Sequence, residues 1–180
     1  MNIEVVPYSS DWAKQFRVLS DDLRSWLECV PVVAIEHVGS TAVRGLFAKP
    51  ILDVDVIVRR EWVGAAITAL SAAGYTHQGD LGVIDREAFL APDRNPARHV
   101  YVCVENTLHV RNHLAVRNTL RQDPELRDRY AEVKRQLASD VEMDMARYVA
   151  GKSAVLQDVL AASDLTAEEK QQIFELNNRT

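Results

Sequence analysis

Two aspartates sit two residues apart inside an otherwise apolar, β-branched run, Ile51-Leu52-Asp53-Val54-Asp55-Val56-Ile57-Val58. The run, introduced by Pro50, is the clearest strand in the chain. Strand side chains alternate between faces, so Asp53 and Asp55 point the same way, with Cα atoms about 6.5–7 Å apart. Leu52, Val54, Val56 and Val58 point the other way, into a core. Ile51 and Ile57 share the face of the aspartates, which argues against a fully solvated surface there. Two carboxylates on such a face are costly unless something compensates them.

A hard cation with oxygen ligands is the natural compensation. Magnesium keeps several waters and takes one or two carboxylates together with substrate phosphates. Upstream lies Glu36-His37-Val38-Gly39-Ser40-Thr41. Its Gly-Ser turn offers backbone N–H groups and a hydroxyl, which suit a phosphate. Turn and carboxylates together point to metal-assisted phosphoryl or nucleotidyl transfer.

The rest of the chain supplies a mixed scaffold. Ser9, Ser10 and Asp11 are helix N-cap candidates, and Trp12, Phe16, Leu19, Leu23 and Trp26-Leu27 follow at helical spacing. Val32 to Val38 reads as a strand ended by Gly39-Ser40-Thr41. Arg60 to Ala73 reads as a helix closed by Gly74. Short strands are expected at Tyr75–Gln78 and Arg86–Leu90, and a longer one over Val100 to Val104, where apolar residues alternate with His99, Tyr101 and Cys103. From residue 106 the pattern is helical. Leu108 to about Arg121 is one helix, and Asp123-Pro124 starts the next, with the stripe Leu126, Tyr130, Val133 and Leu137. A third runs from Met143 to Ala162 with a break near Gly151. Thr166-Ala167-Glu168-Glu169 forms a capping box for the last, and the tail 177–180 is frayed. The expected class is α+β: a mixed sheet with flanking helices (residues 1–105) and a helical C-terminal portion (106–180), together one domain.

Composition narrows the partners. A net charge of −5 over 180 residues argues against nonspecific nucleic-acid or anionic-membrane binding, and no basic stripe with interleaved aromatics is present. Cys29 and Cys103 make no disulfide framework, and without CxxC neighbours a zinc site is not expected. The N-terminus lacks a signal-peptide pattern, and no apolar run reaches the length of a membrane span. A cytoplasmic protein with reduced thiols is expected.

The ordered pieces resemble a known family. Gly39-Ser40, twelve residues (41–52) and then Asp53-Val54-Asp55 look like the signature of the nucleotidyltransferase superfamily, with its polymerase-β-like fold. More narrowly, His37-Val38-Gly39-Ser40-Thr41-Ala42-Val43, Gly45-Leu46, Ala48-Lys49-Pro50 and Ile51-Leu52-Asp53-Val54 resemble the GrpB family. Arg98-His99-Val100-Tyr101-Val102, the segment from His113 to Arg121, Tyr130 with Lys134, and Tyr148 with Gly151-Lys152 agree. The resemblance implies that Ser40 and Gly39 contact a nucleotide phosphate and that Asp53 and Asp55 hold Mg²⁺. It also implies a third carboxylate from a later strand. Here that strand face carries His99, Tyr101 and Cys103 instead, so His99 is the candidate for the missing partner. Glu36, Glu87 and Glu105 are other carboxylates that no position singles out.

Further candidates are basic. Lys134 and Lys152 each share a helix face with an aromatic four residues earlier, Tyr130 and Tyr148. With Lys49 they could bind a triphosphate tail; Arg117 and Arg121 are weaker candidates. His37 precedes the turn and either orients the loop or takes a place in the site. The expected activity is transfer of a nucleotidyl group from a nucleoside triphosphate to a small-molecule or protein acceptor. The alternative is a catalytically silent nucleotide- or protein-binding accessory domain.

Overall fold

The computed structural model describes residues 4–140 and 144–177. The expected helix start at Met143 and the tail 178–180 fall outside them. The chain forms two compact units, one built from Ser10–Val38 and Ile51–Val110, the other from Met1–Ser9, Gly39–Pro50 and Arg111–Thr180. The segment 39–50 therefore belongs with the C-terminal helices rather than with the strands that flank it in sequence.

The first unit is a sheet with helices. Its elements are α1 (Asp11–Trp26), β1 (Val32–Val38), β2 (Leu52–Val58), a 3₁₀ turn (Arg60–Trp62) leading into α2 (Val63–Ala72), then β3 (Thr76–His77), β4 (Arg86–Leu90) and β5 (Arg98–Val104). The five strands lie in the order β1-β2-β5-β4-β3. β2 and β5 are parallel, and every other neighbouring pair is antiparallel.

One face of this sheet is the core. Leu52, Val54, Val56 and Val58 of β2 are buried, and so are Val100, Val102 and Val104 of β5. The parallel register aligns Val54 with Val100, Val56 with Val102 and Val58 with Val104. Each such side chain contributes about 1.5–3 kcal/mol on full burial. Trp12, Leu19, Leu23 and Leu27 bury the stripe of α1, and Ala66 and Leu70 that of α2.

Of the three cap candidates before α1, Ser10 does not cap. Ser10 has helical backbone angles (φ −64°, ψ −17°) and makes no side-chain cap bond. A capping residue needs extended angles to turn its oxygen back onto the first-turn N–H groups. The chain instead enters this helix through a turn.

A buried guanidinium fixes the loop before β5. Arg98 donates from Nε to the Tyr75 hydroxyl (2.8 Å) and from Nη1 and Nη2 to the two Asp93 oxygens (2.8 and 3.0 Å). Hydrogen bonding from Arg98 holds the Asp93 carboxyl well below the usual carboxylate range, and the Asn95 backbone N–H adds to this.

The second unit is helical. α3 (Leu108–Gln122) begins in the sheet unit and enters this one at Arg111; α4 (Pro124–Ser139), α5 (Met145–Gly151), α6 (Ser153–Ala161) and α7 (Ala167–Asn177) follow. Asp123 caps α4 by accepting from the Leu126 N–H at 3.0 Å, with Pro124 at the first helical position. Thr166 and Glu169 exchange backbone-to-side-chain bonds of 2.8 and 3.2 Å, the capping box read from the sequence. The break near Gly151 separates α5 from α6. The core joins Val43 and Leu46 to Leu120, Leu126, Tyr130, Ala131, Val155 and Val159. This apolar contact is what draws the segment 39–50 into the helical unit.

Candidate functional site

The sheet face opposite the core carries the polar residues. Asp53 and Asp55 lie there on β2. The register of β2 with β5 sets Asp53 beside His99, Asp55 beside Tyr101 and Ile57 beside Cys103. His99 Nδ1 is 2.9 Å from Asp53 Oδ1. Both side chains remain accessible, His99 at 53% and Asp53 at 32%, whereas Asp55 is fully buried. A carboxylate acceptor selects the tautomer in which Nδ1 carries the proton, so the basic atom of the ring is Nε2.

The antiparallel register on the other side of β2 supplies a residue that sequence reading left without a position. Glu36 of β1 is the direct partner of Asp55, and Val38 is the partner of Asp53. Directly opposed residues share a face, with Cβ atoms about 4.5–5.5 Å apart. Asp53, Asp55 and Glu36 thus occupy neighbouring positions on one face. Of the other two carboxylates, Glu87 faces elsewhere and Glu105 pairs with a cation. Glu87 is the partner of Val102, on the core side, and its carboxylate is 2.6 Å from His77 Nε2. Glu105 lies 3.6 Å from the Arg59 guanidinium. His37 also turns to the core face, where its ring stacks on Phe16 with centroids 4.7 Å apart.

Further along the polar face are Cys103, Arg86 and His109. Cys103 is fully buried, and burial pushes its thiol well up, with the Asp55 carboxylate the next cause. Arg86 of β4 is the register partner of Cys103, and its guanidinium lies 4.7 Å from the centre of the Tyr101 ring. His109, in the first turn of α3, meets the same ring edge-on at 6.4 Å. Burial raises the Tyr101 phenol, with the Asp53 carboxylate the next cause.

The helical unit holds the remaining candidates. Gly39 has φ 68° and ψ −170°, a conformation essentially reserved for glycine, and leads the 3₁₀ turn Ser40–Ala42. Arg121 of α3 donates from Nε (3.0 Å) and Nη2 (2.7 Å) to the Ala42 carbonyl at the end of that turn. The arginine weighed as a phosphate contact therefore braces the turn. Lys49 Nζ lies 4.7 Å and Lys152 Nζ 4.5 Å from the centre of the Tyr148 ring, which is buried. Two ammonium groups from segments a hundred residues apart thus meet at one phenol. Lys134 is buried, with Nζ 4.9 Å from the Tyr130 ring. The two aromatic–lysine pairs follow helical spacing; the arrival of Lys49 at Tyr148 has no local signal.

A mixed sheet with this strand order and flanking helices is a nucleotidyltransferase fold. It matches over 72% of the chain the structure of Cid1 in complex with its short product ApU, with a TM-score of 0.53 at 19% identity. The match covers 42% of that larger chain. The family is narrower than the fold. The model of the family described as GrpB protein matches residues 2–162, and this chain belongs to the GrpB family. The crystal structure of conserved protein GrpB from Enterococcus faecalis is similar at 30% identity and a TM-score of 0.76, over 88% of this chain and 98% of that one. UPF0157 protein YqkA of Bacillus subtilis is 31% identical over 154 residues, which is 83% of this chain and 44% of that protein. The chain spans less than half the length of that relative.

Proposed function

We propose that this protein binds a nucleoside triphosphate with Mg²⁺ and transfers the nucleotidyl group to a small-molecule or protein acceptor. The observation that carries the reading is the register of β1, β2 and β5. It puts three carboxylates, Asp53, Asp55 and Glu36, at adjacent positions of one face, and hydrogen-bonds His99 to the first of them. These are hard oxygen donors, and they fit a magnesium ion that keeps several waters and bridges to phosphate.

When bound, Mg²⁺ would neutralise charge on the phosphates and polarise the reacting phosphoryl group. Asp53 and Asp55 would hold it, with Glu36 as the third carboxylate. The carboxylate expected on the later strand would come instead from the strand on the other side of β2. Asp53 orients the His99 ring through Nδ1, and His99 takes the acceptor's proton at Nε2. In the helical unit, Ser40 and the backbone N–H groups of the Gly39-led turn would contact phosphate. Lys49, Lys152 and Lys134 would offset the charge of the triphosphate.

A thermal-shift panel of nucleoside triphosphates with and without Mg²⁺ tests this reading, because a ligand that binds only the folded state raises the melting temperature. At least one nucleotide should give a Mg²⁺-dependent shift, lost in Asp53→Asn. No shift with any nucleotide would overturn it.

One observation favours a second reading, a nucleotide-binding accessory domain without turnover. The face of β5 offers His99, Tyr101 and Cys103 and no carboxylate. Mg²⁺-dependent binding without pyrophosphate release, over a broad set of acceptors, would support it.

A further inference from the structure

Asp55, Cys103 and His109 come together in a way that magnesium chemistry does not use. One ligand atom from each lies within 4.8 Å of the other two. All three belong to the sheet unit: Asp55 to β2, Cys103 to β5 and His109 to the first turn of α3. Asp55 and Cys103 are fully buried, and His109 is half-buried. We propose that these three side chains form a transition-metal site of zinc type, distinct in chemistry from the Asp53-centred magnesium site.

The donor set selects the metal. A thiolate and an imidazole are poor partners for Mg²⁺, which demands oxygen, but suit Zn²⁺ and Co²⁺. Zinc takes Cys sulfur at about 2.3 Å, His nitrogen at about 2.0–2.1 Å and carboxylate oxygen at about 2.0–2.2 Å. A tetrahedron with those bond lengths places its ligand atoms about 3.3–3.6 Å apart, inside the envelope the three atoms already occupy. Three protein ligands leave the fourth position for water or an incoming group.

Charge balance supports the same assignment. A carboxylate, a thiolate and a neutral imidazole sum to two negative charges, and a divalent ion cancels them in a buried place where net charge is costly. The thiol gives up its proton on binding, so one proton is released per metal ion. The Arg86 guanidinium, opposite Cys103, favours the thiolate and repels the ion. Asp53, two residues from Asp55 on the same face, offsets that repulsion.

The site shares Asp55 with the magnesium reading but does not depend on it. A zinc-loaded chain would have one carboxylate fewer for magnesium.

The test is an anaerobic titration of the full, reduced chain with Co²⁺, without nucleotide. One equivalent should produce a thiolate-to-cobalt charge-transfer band and the visible bands of tetrahedral cobalt, and Zn²⁺ should abolish both. Cys103→Ser should remove the charge-transfer band, while Cys29→Ser, at the exposed thiol, should keep it. His109→Phe should weaken Co²⁺ binding at least about tenfold, the scale of losing a site's support. Circular dichroism of the metal-free variants checks their fold. The absence of the band in the wild type, or a band lost with Cys29→Ser, would overturn the proposal. If Cys103→Ser does not fold, unchanged affinity in His109→Phe would overturn it equally. A cobalt band in a chain that binds no nucleotide would leave this site standing and remove the magnesium one.

Discussion

At the scale of single residues, backbone strain and one ion pair carry the sharpest consequences. Gly39 adopts φ 68° and ψ −170°, which a side chain tolerates at a cost of about 1–3 kcal/mol. Gly39→Ala should therefore lower stability by about that amount in urea unfolding, and should weaken nucleotide binding if the turn holds phosphate. Asp93 gives a pH signature. Its folded pKa lies below the unfolded one, because Arg98 and the Asn95 N–H favour the carboxylate. Such a group stabilises the fold fully above about pH 4, the unfolded value, and the stabilisation is lost as pH falls through the lower folded value. Asp93→Asn should lower the melting temperature at about pH 7, and the gap to the wild type should close as the pH is taken toward about 2. A gap that stays constant over that range would contradict the assignment. Of the site residues, Asp53 and Asp55 were legible because a strand has a period of two and needs no partner to reveal its faces. Glu36 was not. Its place beside Asp55 is a cross-strand register, fixed by pairing between segments far apart in sequence. Cys103 and His109 escaped for a related reason, since ligand spacing in sequence signals a metal only when the ligands share a local motif.

At the scale of elements, two cap candidates that look alike in sequence behave differently. Asp123 accepts from the Leu126 N–H, so Asp123→Ala should cost about 1 kcal/mol. Ser10 makes no cap bond, so Ser10→Ala should change stability by less than about 0.5 kcal/mol. Chemical denaturation of the two variants side by side checks the contrast, and equal losses would contradict it. The strands over 32–38, 52–58 and 98–104 were readable from β-branched alternation. The allegiance of residues 39–50 was not, because it follows from Val43 and Leu46 packing against helices that begin some seventy residues later. Arg121 is a similar case. A charged residue on a helix reads as solvated, yet its guanidinium closes on the Ala42 carbonyl. Replacing it with Met should loosen the turn, and a larger loss of nucleotide affinity than of melting temperature would be the sign that the turn matters to the ligand.

At the scale of the whole molecule, the proposed function requires a nucleotidyltransferase fold of the GrpB family to hold Mg²⁺ and nucleotide although the polar face of its later strand lacks a carboxylate. No helix among the described residues is long and apolar enough to cross a membrane. The fold class was readable because strand and helix periodicities alternate cleanly in the first half and turn helical in the second. The grouping of the chain into two units was not, because it depends on contacts rather than on order. The most direct measurement is calorimetric titration of nucleoside triphosphates into the wild-type chain and Asp53→Asn, each with Mg²⁺ and with chelator. Saturable binding of at least one nucleotide is expected, needing Mg²⁺ and lost in Asp53→Asn while the fold is kept. No binding by the wild type, or binding indifferent to both Mg²⁺ and Asp53, would contradict it.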